Sequence, residues 1–376
     1  MDDPATPRQR LTLRDLAVSL GVSKTTVSNA FSRPDQLSPE LRARVLEAAR
    51  TAGYAGPDPV ARMLMTRRAG AIGLILPESL PFALDDPVAS ELIRGIADAC
   101  EERRLGLLVV PGGIHAADPR MIADVVVDGF VAYSLPHGSS RLEAALGRGV
   151  PLVVVDQPRL PGVATVALDD AGGAREAARH LLALGHRRFA IVTLPCHPDG
   201  YTGPGDPVRI ATSAFDVTAA RFSGYASALA EAGVAIDAVP SFECAHGDEA
   251  IGAAAGHHVL ALANRPTAIL AMSDRLAIGV IAAARSAGLK VPEDVSVTGF
   301  DDIPAAARAR PALTTVHQEL RLKGYAAARL LLDAPGPATE TDGTPRAEED
   351  LGLPFELIVR RSTAAPPPLD GRGARA

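Results

Sequence analysis

"SLGVSKTTVSNAF", residues 19–31, sets a glycine turn directly before a run of short hydroxyl and amide side chains. The ten residues leading into the turn, "TLRDLAVSLG" (12–21), carry Leu13, Leu16, Ala17 and Leu20 at helical spacing. Thr12 stands at the N-cap position, with Asp15 three residues on as its reciprocal acid. Gly21 suits the left-handed backbone that ends a helix. Val22 then points inward, and Ser23 caps a second helix whose Val27, Ala30 and Phe31 form the inner side. Small Ala17 lets the two helices cross closely. The pattern predicts a helix-turn-helix. The other side of the second helix offers Lys24, Thr25, Thr26, Ser28 and Asn29. Short donors and acceptors at the N-terminal end of such a helix are what touches base edges. Threonine bonds bases or meets a thymine methyl, and asparagine pairs with adenine. Such helix pairs also occur in protein-interaction bundles, so local spacing alone leaves that alternative open.

Downstream, "LSPELRARVLEAARTAGY" (37–54) predicts a third helix: Ser38 as cap, Pro39 in the first turn, Gly53 at the end. Val45, Leu46 and Ala49 are expected to close the small core, with Arg42, Arg44 and Arg50 outside, either solvated or on phosphate. In "AGPDPVARMLMTRRAG" (55–70), Pro57 and Pro59 break the chain, Asp58 is placed to cap, and "PVARML" makes barely two turns. So short a helix is marginal in water and needs a partner helix or DNA. Met63 and Leu64 are odd in a solvated linker and sensible as wedges between base steps in a minor groove.

Charge follows this division. The chain of 376 residues has a net charge of −6, yet residues 1–70 hold eleven Lys/Arg against seven Asp/Glu, and the remainder holds 27 against 37. A basic head on an acidic body fits one small module meeting phosphate. No stretch approaches the roughly 18 uninterrupted apolar residues of a membrane span. The first residues lack the apolar core of a signal peptide, so a cytoplasmic protein without membrane contact is expected. Three widely spaced cysteines argue against a disulfide framework.

From Ala71 onward short apolar runs alternate with helix-like stretches: "AIGLIL", "LGLLVV", "GFVAYS" and "PLVVVD", then "RFAIVTL", "TAILAM" and "DVSVTGF". Buried strands alternating with helices imply parallel sheets covered on both faces. Two such series imply two doubly wound lobes with a cleft at the carboxyl ends of the strands. Asp156, Ser273, Asp274, Asp301, Asp302 and Arg221 fall at strand or helix ends facing that cleft. Each alone reads as a cap or a surface pair. Together they suit a hydroxyl-rich ligand, since carboxylates accept and guanidinium donates in fixed geometry.

The stretch from Thr12 to Leu64 resembles the DNA-binding head and hinge of the LacI/GalR family of bacterial transcription regulators. The carrying residues are the turn, "TVSNAF", the helix ending "AGY" and "VARML". The body resembles that family's effector domain, similar in fold to periplasmic sugar-binding proteins. Here the carriers are "GVPLVVVD", "HLLALGHRRFAIV", "RFSGY", "SDRLAIGV", "VSVTGFDD" and "LTTVHQEL". The resemblance runs from about residue 11 to 362. It implies Lys24, Thr25 and Asn29 as base readers, with Thr12, Ser23, Thr26 and Ser28 also on the DNA. Ala61 and Leu64 would enter the minor groove, Leu64 as the wedge. Asp156, Arg221, Ser273 and Asp301 would be the effector contacts, with Asp274 a weaker candidate and a cap for its helix. One departure is "GPDP", where the family more often has Pro-Asn before the hinge. Two others bear on the ligand: Val88, and His246 with Gly247, stand where family members often carry aromatics. Their absence weakens a plain hexose assignment. An insertion at 195–213 is expected to be a lid including Tyr201.

The expected organisation is a helix-turn-helix domain (1–56), a hinge helix and linker (57–70), an effector and dimerisation domain (71–362) and a disordered tail (363–376). The lobes are expected at about 71–168 plus 301–334, and 169–300 plus 335–362. No phosphate loop, metal-ligand spacing or nucleophile elbow is visible, so neither enzyme nor cofactor nor metal is expected. The implied function is a homodimeric regulator, a repressor by the resemblance, on palindromic operator DNA and controlled by a small polar metabolite. The alternative is a solute-binding protein without a DNA role.

Overall fold

The computed structural model describes residues 12–54, 56, 58–66, 68–112, 118–334 and 350–368, except the side chains of 34 and 59–62. The chain divides between Ala69 and Gly70 into two compact units.

The head contains α1 (Leu13–Leu20), α2 (Lys24–Ser32), α3 (Pro39–Thr51) and α4 (Pro59–Thr66). Thr12 and Asp15 form the reciprocal cap: the Asp15 amide donates to Thr12 Oγ1 at 3.3 Å and the Thr12 amide to Asp15 Oδ2 at 3.0 Å. Gly21 takes φ +66° and stops α1. Leu16, Ala17, Val27, Ala30, Val45 and Ala49 are buried against one another, with Phe31 and Tyr54 edge to face at 5.8 Å. Leu46, expected in this core, is only half-buried and lies outside the cluster. Tyr54 and Leu41 pack there instead.

The body alternates strands and helices: β1 (Ala71–Ile75), α5 (Leu80–Asp85), α6 (Pro87–Arg103), β2 (Gly106–Val110), α7 (Arg120–Ala123), β3 (Phe130–Tyr133), α8 (Ser140–Gly147), β4 (Leu152–Val155) and β5 (Ala164–Leu168). Then follow α9 (Asp170–Ala183), β6 (Phe189–Thr193), β7 (Gly203–Pro204), α10 (Pro207–Ala211), α11 (Asp216–Glu231), β8 (Ser241–Glu243), α12 (Glu249–Leu260), β9 (Ala268–Ala271) and α13 (Asp274–Ser286). The chain ends with β10 (Ser296–Asp301), α14 (Pro304–Arg308), β11 (Thr314–Gln318), α15 (Leu320–Asp333), β12 (Leu351–Leu353) and β13 (Phe355–Ile358). One sheet has the order β12-β5-β4-β3-β1-β2 and is parallel throughout. The other has the order β13-β11-β10-β9-β6-β8-β7, parallel except at its two edges. In the first lobe Ile72, Leu74, Val131, Val153 and Val155 face α6 and α15, while Ile75, Phe130, Ala132 and Val154 face Ile122 and Leu142. Both faces are apolar because helices cover both.

The lobes exchange chain at three places, and the second and third differ from the expected boundaries. β11 pairs with β10 in the second sheet, so 301–318 stays in the second lobe. Only α15 returns to the first, packing on α6 so closely that a Cβ on Gly95 would lie 1.9 Å from the Arg321 carbonyl oxygen. β12 joins β5 in the first sheet and β13 joins β11 in the second. Apolar runs occur in the strands of both sheets, so a short run such as Leu351–Leu353 does not by itself say which sheet it joins. The chain also stays anchored past 362. Ala364 donates to Ser296 Oγ at 3.0 Å and its carbonyl accepts from His186 Nε2 at 2.8 Å. Disorder from 363 is therefore incorrect for 363–364, and 369–376 lie outside the described residues.

The 195–213 insertion is built onto the edge of the second sheet. Its base closes where the Ala214 amide and Ser213 hydroxyl donate to the Cys196 carbonyl at 2.7 and 2.8 Å. β7 pairs with β8, and Arg209 bonds Glu243 Oε2 at 2.7 Å and Asp199 Oδ2 at 2.8 Å beneath the Tyr201 ring. Tyr201 donates its hydroxyl to the Pro204 carbonyl at 2.9 Å. Arginine and two carboxylates clamp the segment as an extension of the sheet.

Candidate DNA-reading helix and inter-lobe cleft

Ser23 Oγ accepts from the Thr26 amide at 3.0 Å and lies 2.8 Å from Thr26 Oγ1. This cap satisfies an orphan amide and fixes where α2 begins. Lys24 and Thr25 are left exposed on its first turn, while Thr26, Ser28 and Asn29 are half-buried. Asn29 donates from Nδ2 to Gln36 Oε1 at 3.0 Å, which orients the amide while leaving its oxygen and second N–H. Gln36 is a partner that sequence reasoning missed. Thr12 caps α1. Arg42 bonds the Ala30 carbonyl at 3.3 Å, and Arg50 pairs with Glu47. In α4, Leu64 is 72% and Met65 87% exposed, a costly display of apolar surface on an eight-residue helix. The Ala61 side chain lies outside the described residues.

In the body, the carboxyl ends of three strands turn through left-handed backbone at non-glycine residues. Ser134 has φ +49°, Asp156 φ +65° and Asp301 φ +110°. Each costs about 1–3 kcal/mol, strain that concentrates at ligand sites. Asp156 Oδ1 accepts from Lys323 Nζ at 2.6 Å. Asp301 Oδ1 accepts from Gln318 Nε2 at 2.7 Å and lies 3.6 Å from Arg221 Nη1. Arg221 is buried. Its Nε donates to Asp170 Oδ1 at 2.8 Å, Nη1 donates to the Met272 carbonyl, and the guanidinium lies 3.6 Å from the Phe300 ring centre. Burial works against the Arg221 charge, but Asp170 and Asp301 outweigh it and hold the group above the ordinary arginine value. Burial pushes Asp301 up to about 7, against the pull of Arg221 and helped by the Asp86 charge. Burial likewise raises Asp170 and Asp274.

Asp156, Arg221 and Asp301 are thus brought into one connected group. Ser273 is the cap of α13, accepting from the Leu276 amide at 3.3 Å. Asp274, expected as a cap, instead ties β10 to β11: its carboxylate accepts from the Ile303 amide at 2.8 Å and Thr315 Oγ1 at 2.5 Å. Asp302 pairs with Arg360 at 2.6 Å. Sequence reasoning missed Lys323, Gln318, Asp170 and a second cross-lobe cluster. There Arg275 reaches from α13 to Asp86 at 3.6 Å and lies 5.3 Å from the Phe82 ring centre. Phe82 faces His246 across the lobes at 6.2 Å. An aromatic face is therefore present, supplied by Phe82 six residues before Val88.

A head with an exposed reading helix joined to a two-lobed α/β body with a polar cleft defines a ligand-responsive DNA-binding protein. Residues 12–56 match the model of bacterial regulatory proteins of the lacI family, and residues 178–363 match a periplasmic binding protein-like domain. An HTH-type transcriptional regulator of Mycobacterium tuberculosis is 42% identical over 96% of this chain and 99% of its own. The HTH-type transcriptional repressor CytR of Escherichia coli K12 is 30% identical over 95% of this chain and 97% of its own. The solved transcriptional regulator CelR–cellobiose complex superposes with a TM-score of 0.66 at 28% identity, covering 94% of this chain and 100% of that one. The chain belongs to the LacI family of DNA-binding transcriptional regulators. It is therefore not an enzyme, and the alternative of a solute-binding protein without a DNA role falls. Among the described residues no helix is long and apolar enough to cross a membrane.

Proposed function

We propose that the protein is a cytoplasmic homodimeric repressor that binds a palindromic operator and releases or tightens on it when an uncharged, hydroxyl-rich metabolite enters the cleft. The observation that carries the ligand class is that four cleft carboxylates lie against three cations: Asp156 with Lys323, Asp170 and Asp301 sharing Arg221, and Asp86 with Arg275. Among these groups charge is balanced to within one negative, which disfavours an anionic ligand and leaves carboxylate lone pairs to accept from hydroxyls. Phe82 supplies an apolar face for a ring. The cellobiose bound by CelR is of this chemical class. A twofold dimer matches a palindromic site, and repression is supported by the name of the CytR relative. Lys24, Thr25 and Asn29 read bases, with Thr12, Ser23, Thr26 and Ser28 on the backbone or base edges. The exposed Leu64, beside Ala61, wedges into the minor groove.

The test is selection of bound duplexes from a random DNA pool by the purified protein. A palindromic site with a pyrimidine–purine step at its centre is expected. Failure to enrich any sequence, with and without cell metabolites, would overturn the reading.

A further inference from the structure

Lys323 is 2% exposed, an ammonium taken almost wholly out of water. It sits on α15 in the first lobe, four residues past Glu319, where the chain leaves the second lobe. Its Nζ donates to Asp156 Oδ1 and to Gln318 Oε1, each at 2.6 Å. Gln318 ends β11 in the second lobe and donates from Nε2 to Asp301 at 2.7 Å. Asp301 lies 3.6 Å from Arg221, which bonds Asp170 at 2.8 Å. One polar chain therefore runs Asp156, Lys323, Gln318, Asp301, Arg221, Asp170, and it crosses the lobe junction between two residues that bracket the crossing segment.

We propose that Lys323 is a positioning residue that wires the two strand-end carboxylates of the cleft together, so that the state of one lobe's carboxylate sets the geometry of the other's. This rests on the reading of the cleft as the effector site. The physical reason is that a buried ammonium cannot lose a partner cheaply. A rotation about residue 319 that separates Lys323 from Gln318 strands a donor and an acceptor at once. Conversely, a hydroxyl ligand bonding Asp156 and Asp301 competes for the same oxygens and weakens the tie. Two other cross-lobe bonds respond to that tie. The His137 amide donates to the Ala214 carbonyl at 2.9 Å, and the Val217 amide to Gln157 Oε1 at 2.7 Å. These amides report lobe closure without any ligand.

The experiment is amide hydrogen exchange on the full-length protein, wild type, Lys323→Met, Gln318→Met and Lys323→Met/Asp156→Asn. In all three variants the amides of His137 and Val217 are expected to exchange at least tenfold faster, with strands β1 and β6 unchanged. The double variant, which removes the charge together with its partner, is expected to regain the melting temperature but not the protection. Gln318→Met breaks the tie without altering a charge, so it decides the matter if Lys323→Met does not fold. Wild-type exchange at both amides in Gln318→Met, or full recovery of protection in the double variant, overturns the proposal. Neither outcome touches operator selection, so a wrong Lys323 and a wrong regulator are told apart.

Discussion

At Asp301 burial moves an ordinary carboxylate into the neutral range. Its ordinary value is 3.8, and burial lifts it to about 7 despite Arg221. A raised carboxyl binds more protons folded than unfolded between those two values. The folded state therefore loses the contribution of this group as pH rises from about 4 through about 7. Near neutrality the carboxyl is half-protonated, so its ability to accept from a ligand hydroxyl is titrating. The effector response of wild type is expected to change steeply between about pH 6 and 8, and Asp301→Asn is expected to flatten it. Operator-binding titrations across that range measure both. A steep profile that survives in Asp301→Asn would show that another group carries the titration. Arg221→Ala is a harsher change, since it leaves Asp170 and Asp301 buried without their cation. It is expected to abolish the response and to cost about 3–5 kcal/mol of body stability, read by denaturant melts.

At the level of elements, the second helix is fixed by one hydroxyl. Ser23→Ala removes the cap and is expected to cost the head about 1 kcal/mol. Ser23→Asp keeps an acceptor at the cap and favours the helix dipole, so the melt should recover. It also sets a negative charge beside DNA phosphate, so operator affinity should still fall, by more than tenfold. Recovery of both in Ser23→Asp would remove Ser23 from the DNA interface. In the hinge, Leu64→Ala should lower specific affinity roughly tenfold, about 1.4 kcal/mol, and straighten the DNA in a bending assay. Unchanged bending would sink the wedge. The head was legible because its signals are local: Thr12, Gly21, Ser23 and Ser38 sit where caps and stops must. Strand–helix alternation likewise announced the sheets. The lobe exchanges were not legible, because "LTTVHQ" and "LGL" carry nothing that prefers one sheet. Lys323 was legible in principle. Leu320, Gly324, Ala327 and Leu331 form the buried stripe of α15, and Lys323 lies within it. A lysine on the inner side of an amphipathic helix demands a buried acid, and Asp156, read as a ligand contact only, was that acid. Phe82 escaped because aromatics were sought at Val88 and His246, and not on α5, which supplies the ring.

For the whole molecule, the basic head and the acidic body divide the labour between phosphate and metabolite. If each acts through the shared chain, their effects must be equal in both directions. A ligand that changes operator affinity by some factor must have its own affinity changed by the operator by that same factor. The operator from the selection and the ligand it reveals allow this to be measured as four dissociation constants closing a square. Salt adds an independent lever. Operator binding should fall steeply with salt, with a log–log slope near −0.9 per phosphate neutralised. Ligand binding in an internally paired cleft should hardly move, because its ion pairs are buried and poorly screened. The coupling factor should therefore stay constant while operator affinity drops. A coupling that fades in step with operator affinity would place the ligand's effect in long-range charge between body and DNA, and not in lobe geometry. A constant factor locates the switch in the polar chain between Asp156 and Asp170, where Lys323 and Gln318 variants then divide it further.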